Sequence, residues 1–179
     1  MPETTRSVAA VGVAVVLLAV LSGCATPDPR KFALESAQAN FQGFDQQVQE
    51  QLPDLPTTGF RDFVVQSHRF GGAGSLIDLT EAEIREDAYS LQYGTTRILE
   101  ASQDDDIATV LGFVSGYYET GGGWSYKQAT VFSCFTVSLD LDDQRVLGFD
   151  DADCTDAIYA VTSRDDEVPF SELVPDLSR

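Results

Sequence analysis

The sequence predicts an α+β fold in which an N-terminal amphipathic helix packs on a meandering antiparallel β-sheet held by one disulfide. Apolar residues recur at helical spacing early in the chain, whereas apolar and polar residues alternate later, between turns rich in glycine and aspartate. Helical patterns do not alternate with the late strands, so a parallel βαβ arrangement is not expected.

The clearest helix lies before Pro53. Its apolar positions are Ala33, Ala37, Phe41, Phe44, Val48 and Leu52. Spacings of three and four residues place these side chains on one face of a helix, and the ring of Pro53 prevents the helix from continuing. This segment is therefore predicted to be a helix with one buried face.

The middle of the chain predicts three shorter elements. Residues 61–70 are rich in β-branched and aromatic side chains, which favours a strand. Thr80 and Glu83 have the spacing of a capping box, so a short helix is expected over residues 79–87. Residues 95–102 predict another strand, followed by a turn.

The second half of the chain predicts a β-meander. Strands are expected over residues 107–120, 124–141 and 146–151, separated by a glycine turn and an acidic turn. Apolar and polar residues alternate near the end of the middle strand, as in a strand with one buried face. Residues 157–179 are expected to form an irregular tail with one short element.

The first 25 residues have the features of an export signal. Residues 8–21 form a run of fourteen apolar or small residues, preceded by Arg6 and followed by Ser22, Gly23 and Cys24. A spanning helix needs about 20 apolar residues, whereas the apolar region of a signal peptide is shorter. Leu21-Ser22-Gly23-Cys24 resembles the lipobox of bacterial lipoproteins, and the short run disfavours an uncleaved anchor with an incidental cysteine.

This resemblance implies how the chain is processed and where it is located. Cys24 would carry a thioether-linked diacylglyceryl group, and cleavage after Gly23 would make it the new N-terminus. Two or more acyl chains anchor a protein stably to a membrane. The implied organisation is a signal peptide over residues 1–23, a tether over 24–30 and a single acidic domain over 31–179, located at the cell membrane outside the cytoplasm.

The two remaining cysteines are predicted to form a disulfide. Pairing is the expectation for Cys134 and Cys154 in an oxidising, exported compartment. With the acidic turn centred after Asp143, Cys134 lies opposite Asp153. A one-residue bulge or an odd-length turn then brings the two sulfurs together, at a separation typical of neighbouring strands. Such a bridge would contribute about 3 kcal/mol to stability.

The net charge of −18 limits the class of partner. Nucleic-acid binding requires clustered Lys and Arg, so it is not expected. An acidic domain is also repelled from anionic lipid, so membrane contact is expected only through lipidated Cys24. No cofactor is expected.

Catalytic and metal-binding patterns are weak. His68 is the single histidine and is best interpreted as a structural or surface residue. Residues 112–116 lack the spacing of a nucleophile elbow, and two cysteines with one distant histidine are too few for a zinc site. The chain is therefore interpreted as non-catalytic, with no catalytic or metal residue assigned.

Two alternatives depend on the many aspartates. Residues 140–151 place Asp at positions 1, 3 and 12 of a calcium loop, but Arg145 occupies the position that requires glycine. A calcium-stabilised structural domain therefore stays open. A carboxylate-dependent envelope hydrolase also stays open, since it needs two carboxylates across a cleft at a defined separation.

The candidate ligand surface is aromatic. Tyr118, Trp124 and Tyr126 flank the glycine turn, and strand alternation places Tyr117 and Tyr118 on opposite faces. If these rings are exposed, they would bind a glycan or a partner protein of the envelope. The alternative is that they cover the end of the core. The sequence thus favours a membrane-anchored binding or accessory lipoprotein of unknown ligand.

Overall fold

A computed structural model of the protein describes residues 28–67, 69–122 and 126–174. Its helices and strands confirm the α+β class. The helices are α1 Pro29–Gln51, α2 Phe60–Ser67, α3 Glu81–Glu86, α4 Ala88–Gln92, α5 Asp156–Tyr159 and α6 Phe170–Leu173, with short 3-10 helices at Leu52–Asp54 and Arg164–Asp166. The strands are β1 Arg69–Phe70, β2 Ala73–Ser75, β3 Thr96–Asp104, β4 Ile107–Thr120, β5 Lys127–Asp140 and β6 Arg145–Ala152. The predicted lipobox with Cys24, as well as His68 and Trp124, lies outside the described residues.

The strands form one sheet in the order β1-β2-β3-β4-β5-β6. All neighbouring pairs are antiparallel except β2 and β3, which run parallel because α3 and α4 return the chain between them. This short βαβ unit corrects the expectation of a wholly antiparallel sheet, which the late strands alone satisfy. The long central strands β4 and β5 pair from Ile107 opposite Asp140 to Thr120 opposite Lys127. The meander predicted from the second half of the chain is therefore present.

Helix α1 forms as its sequence predicts. The Asp28 side chain accepts a hydrogen bond from the Arg30 backbone N–H at 3.0 Å, and Pro29 occupies the first turn, where its missing N–H is not needed. The six predicted apolar positions are all buried against the sheet. The helix passes into a 3-10 turn that contains Pro53.

Gly116 lets α1 approach β4 closely. A Cβ at this position would lie 2.0 Å from the carbonyl oxygen of Ala33 and 2.3 Å from the backbone nitrogen of Ala37. These are backbone atoms of the helix, which cannot rotate away as a side chain does. Glycine on the strand and two alanines on the helix therefore set the distance between the two layers.

Two hydrophobic clusters fill the two sides of the sheet. The α1 side contains six buried phenylalanines, and four of them are here called the phenylalanine core: Phe41, Phe44, Phe135 and Phe170. Phe41 contacts Phe135 and Phe170 edge-to-face, with ring centroids 5.2 and 4.8 Å apart. The opposite side buries a second cluster between the sheet and helices α3 to α5. No helix in the described part of the chain is long and apolar enough to cross a membrane.

The strand predicted over residues 61–70 is wrong, because most of it forms α2. Phe60 and Val64 lie four residues apart and are both fully buried, as on one face of a helix. The β-branched residues of this segment favour a strand, but the helical spacing of its buried residues decides the structure. Only Arg69 and Phe70 form a strand, and it pairs with β2.

The tail is more ordered than predicted. Residues 156–173 contain two short helices and a 3-10 turn rather than one short element. The Val168 backbone N–H donates to the Phe132 carbonyl at 2.9 Å, and Glu167 bridges to the same strand. This segment therefore continues the sheet next to β5 beyond the end of β6.

The capping box and the disulfide are confirmed. The Thr80 backbone N–H donates to Glu83 Oε2 at 2.8 Å, and the Glu83 N–H donates back to the Thr80 hydroxyl. Cys134 and Cys154 are bonded, with Cα atoms 5.3 Å apart.

The strand register at the disulfide differs from the expected one. A bulge beside Ser138 is present, and Cys134 lies opposite Ala152 instead of Asp153. Cys154 therefore reaches its partner from just beyond the end of β6.

Candidate functional site

Four tyrosines form a continuous aromatic surface on the side of the sheet opposite α1. This tyrosine surface consists of Tyr89, Tyr93, Tyr117 and Tyr126. The rings of Tyr89 and Tyr93 stack with centroids 4.1 Å apart, and Tyr93 contacts Tyr117 at 4.5 Å. The exposed fractions of Tyr89, Tyr93 and Tyr126 are 71%, 42% and 50%. Contiguous exposed apolar area of this kind marks interaction sites.

The β4–β5 hairpin positions one half of this surface. Tyr117 pairs with Thr130 and Glu119 pairs with Gln128, so all four side chains lie on one face of the sheet. Tyr126 lies two residues before Gln128, and its hydroxyl is 3.3 Å from that of Tyr117. Strand alternation therefore brings two tyrosines, a carboxylate and an amide together.

Helix α4 positions the other half. Tyr89 and Tyr93 are four residues apart and share one side of the helix end, while Leu91 is fully buried beneath them. Arg97 of β3 donates to the Ser90 hydroxyl at 3.1 Å and lies 3.6 Å from an Asp87 carboxylate oxygen. These contacts hold α4 against the sheet beside Tyr117.

Glu119 is the polar centre of the tyrosine surface. Its Oε2 accepts hydrogen bonds from the hydroxyls of Tyr117 at 2.6 Å and Tyr126 at 2.9 Å. Gln128 Oε1 lies 3.4 and 3.1 Å from the same two hydroxyls. The bond from Tyr117, and then that from Tyr126, lowers the pKa of Glu119. The carboxylate is therefore ionised at neutral pH.

The charge of Glu119 is not neutralised by a neighbouring cation in the part of the chain that the structure describes. The ion pairs there involve Lys31, Arg61, Arg85, Arg97 and Arg145, and none includes Glu119. A neutral tyrosine hydroxyl stabilises a carboxylate by hydrogen bonding without cancelling its charge. The surface therefore combines exposed ring area with a net negative charge.

The structure separates the residues that the sequence grouped as one ligand surface. Tyr118 lies on the α1 side, where its ring stacks on Phe32 with centroids 4.6 Å apart. Tyr126 lies on the opposite side, as part of the tyrosine surface. Tyr117 and Tyr118 thus point to opposite faces, as predicted, but Tyr118 packs beside the core and does not share a surface with Tyr126.

Sequence reasoning missed Tyr89, Tyr93 and Glu119. The four-residue spacing of the two tyrosines indicates that they share one side of a helix, and this could be predicted from the sequence. Their position next to Tyr117 depends on how α4 crosses the sheet, and no local pattern encodes that contact. Glu119 appeared only as one acidic residue among many.

A second polar cluster lines an open cleft of about 540 Å³ beside the disulfide. The Arg164 guanidinium lies 3.5 Å from the centroid of the Tyr159 ring, and the Tyr159 hydroxyl donates to Glu167 Oε1 at 2.8 Å. These side chains bind one another and fix the segment that continues the sheet beside β5.

The acidic turns do not converge on a metal site. Among residues 28–67, 69–122 and 126–174, no group of three or more His, Cys, Asp or Glu side chains is placed to hold a metal ion. Asp140 instead accepts hydrogen bonds from the Asp143 backbone N–H at 2.9 Å and from Arg145 at 3.1 Å. The bond from Asp143, aided by Arg145, lowers the pKa of Asp140 and ties this carboxylate to its own hairpin turn.

In comparisons with known proteins, no family model, no curated protein and no solved structure matches the chain. The functional proposal therefore depends on the tyrosine surface and on the lipobox predicted from the sequence.

Proposed function

We propose that the protein is an exported, lipid-anchored binding protein with a non-catalytic accessory role in the cell envelope. It contacts another envelope component through the tyrosine surface. The observation that carries this proposal is the exposure of Tyr89, Tyr93 and Tyr126, joined through half-buried Tyr117, beside one ionised carboxylate. No observation favours the calcium-stabilised domain or the hydrolase over this function.

Tyrosine is well suited to a binding surface. It presents a large, rigid contact area with only two rotatable side-chain angles, and it is common among the residues that dominate binding energy. Here the rings of Tyr117 and Tyr126 are already fixed by their bonds to Glu119. Binding therefore requires little further ordering of these side chains, which favours affinity.

The lipid anchor would place this surface close to a membrane. Helix α1 begins at Pro29, which is five positions after Cys24. Five steps along a fully extended chain span at most about 18 Å. Phe32 in the first turn of α1 contacts Tyr118, which adjoins Tyr117 on β4. A partner on or in the same membrane is then within reach.

The anchor is tested by expressing the full chain in a bacterial host and identifying its N-terminal peptide by mass spectrometry. We expect a chain that begins at a diacylglyceryl-modified Cys24 and sediments with membranes. The Cys24→Ser variant is expected to lack the lipid. A wild-type protein that keeps residues 1–23 would contradict the lipoprotein assignment.

The binding role is tested by site-specific photo-crosslinking in the same cells. A photoreactive phenylalanine analogue replaces Tyr89, the most exposed of the four tyrosines, and in a matched control replaces Leu147, which is 40% exposed on β6. We expect a reproducible adduct from position 89 that is lost when Tyr93→Ala and Tyr126→Ala are added. Equal adducts from both positions, or none from position 89, would contradict the proposal.

A further inference from the structure

We propose that the component bound by the tyrosine surface is a basic polypeptide segment, with a Lys or Arg side chain lying on the tyrosine rings beside Glu119. This inference rests on the proposed binding function and adds the chemistry of the ligand. Ring geometry, charge and a matching arrangement elsewhere in the chain support it.

The tyrosine rings provide the first argument. The face of an aromatic ring attracts a cation that lies within about 6 Å of its centre, and the attraction increases when the cation is shielded from water. Tyr89, Tyr93 and Tyr126 expose large fractions of their surface, although Tyr89 and Tyr93 cover one ring face of each other by stacking. Tyr126 joins the patch through its hydroxyl, which lies 3.3 Å from that of Tyr117. The ring area that stays exposed is where a guanidinium or ammonium group can lie.

Charge provides the second argument. Glu119 lies at the centre of the patch, and no ion pair of the described residues includes it. The whole chain carries a net charge of −18, which attracts basic partners and increases their rate of association. The same charge repels an anionic lipid surface, so a lipid headgroup is a poorer occupant.

Hydrogen bonding argues against a neutral glycan. Recognition of sugar hydroxyls requires polar groups that point at the ligand and are not already paired. In the tyrosine surface, the hydroxyls of Tyr117 and Tyr126 both donate to Glu119 Oε2, so neither proton is free for a sugar hydroxyl. Exposed ring area and negative charge are the main features that the patch presents to a ligand, and a cation uses both.

Elsewhere in the chain, a tyrosine bonded to a carboxylate already has a cation on its ring. Next to the disulfide, the Tyr159 hydroxyl donates to Glu167 at 2.8 Å, and Arg164 lies 3.5 Å from the centroid of the Tyr159 ring. In the tyrosine surface, Tyr117 and Tyr126 donate to Glu119 in the same way, and none of the cation–ring contacts of the described residues lies there. A basic side chain from a partner would complete the same combination of ring, carboxylate and cation.

The test measures peptide binding to the full-length lipoprotein in detergent micelles. One probe is an eight-residue peptide of alternating glycine and arginine, and the other replaces each arginine with citrulline, which has a similar shape and no charge. By calorimetry, we expect the arginine peptide to bind at least about tenfold more tightly, since several rings and one carboxylate contribute. Its affinity is expected to fall as salt increases.

Variants separate the tyrosine surface from the overall negative charge. Tyr89→Ala with Tyr93→Ala keeps the charge and removes two rings, and about a fivefold loss of affinity for the arginine peptide is expected. Glu119→Gln is expected to weaken binding by a similar factor. Glu100→Gln is the matched control, because it removes one exposed carboxylate of β3 and should change the affinity less than twofold.

Three results would overturn the inference. They are equal binding of the citrulline peptide, unchanged affinity after loss of the two rings, and competition at the surface by a neutral chito-oligosaccharide but not by the arginine peptide. If one of these occurs while the position 89 adduct still forms, the basic segment is wrong and the binding function stands. If the position 89 adduct is absent, the binding function itself fails.

Discussion

The phenylalanine core and the tyrosine surface are aromatic clusters on opposite faces of the same sheet, yet they differ in burial and in chemistry. The four core phenylalanines are at most 4% exposed and contact one another through rings alone. The tyrosines expose up to 71% of their surface, and two of them bind a carboxylate. One cluster stabilises the fold, whereas the other is available for contact.

The hydroxyl group explains this division. A buried hydroxyl without a partner costs about 1–3 kcal/mol, so phenylalanine suits the enclosed space beneath α1. On the open side, the hydroxyls fix the rings to Glu119 and leave ring area exposed. Changes in the core should therefore affect stability, and changes in the tyrosine surface should affect binding. The predictions below test this contrast, beginning with the largest effect.

Loss of a core ring should be the most damaging change. Phe41 is fully buried and contacts three of the other rings beneath α1, so Phe41→Ala should lower the free energy of unfolding by about 4 kcal/mol. Tyr89→Ala on the opposite face should change it by less than about 0.5 kcal/mol. Urea unfolding followed by circular dichroism measures both. Similar losses for the two variants would break the contrast.

Adding a methyl group between the two layers should also destabilise the core side. The Cβ of Gly116→Ala would collide with the backbone of α1, and we expect a loss of about 3 kcal/mol. Gly148→Ala is the control, since nothing lies within 4 Å of a Cβ built there. A Gly116→Ala variant as stable as the Gly148→Ala control would mean that α1 is not held this close to β4.

Removal of the disulfide should have an effect close to that of Gly116→Ala. Cys134 and Cys154 are 20 positions apart, and opening this loop by a double substitution to alanine should lower the free energy of unfolding by about 3 kcal/mol. The tyrosine surface lies away from the bridge, so peptide binding at a temperature where the variant is folded should be unchanged. Loss of binding in the folded variant would show that the two regions are coupled.

The smallest effect on the fold concerns the ionisation of the tyrosine surface. The bond that Tyr117 donates to Glu119 raises the pKa of Tyr117 above its ordinary value of 10.0, as does the neighbouring Tyr126. The raised pKa means that the folded protein holds this proton more tightly than the unfolded chain. Its contribution to stability is therefore present below pH 10 and decreases as pH rises above that value.

Alkaline titration of tyrosinate absorbance measures this property. The difference between wild type and Tyr117→Phe isolates the titration of Tyr117, and the same difference in a Glu119→Gln background should move to lower pH. An identical titration with and without Glu119 would show that the carboxylate does not hold the Tyr117 proton.

Local patterns account for what the sequence predicts correctly. Helix α1, the capping box at Thr80 and strands β4 to β6 all depend on spacings within one segment. The disulfide is expected because Cys134 and Cys154 are the two cysteines that remain beside Cys24. Helix α2 was misread because its β-branched residues favour a strand while Phe60 and Val64 follow a helical spacing. The tyrosine surface was only partly foreseen, because it brings α4 next to β4 through packing that no single segment encodes.

The contact between Phe41 and Phe170 has a consequence for how the protein folds. It joins α1 to α6, so α1 cannot bury its apolar face fully until Phe170 is present. Contacts between distant parts of a chain slow folding, because the long intervening segment must be ordered first. During synthesis the packing of α1 should therefore stay incomplete until Phe170 emerges, and a polypeptide with an incomplete core can still be threaded through a narrow channel.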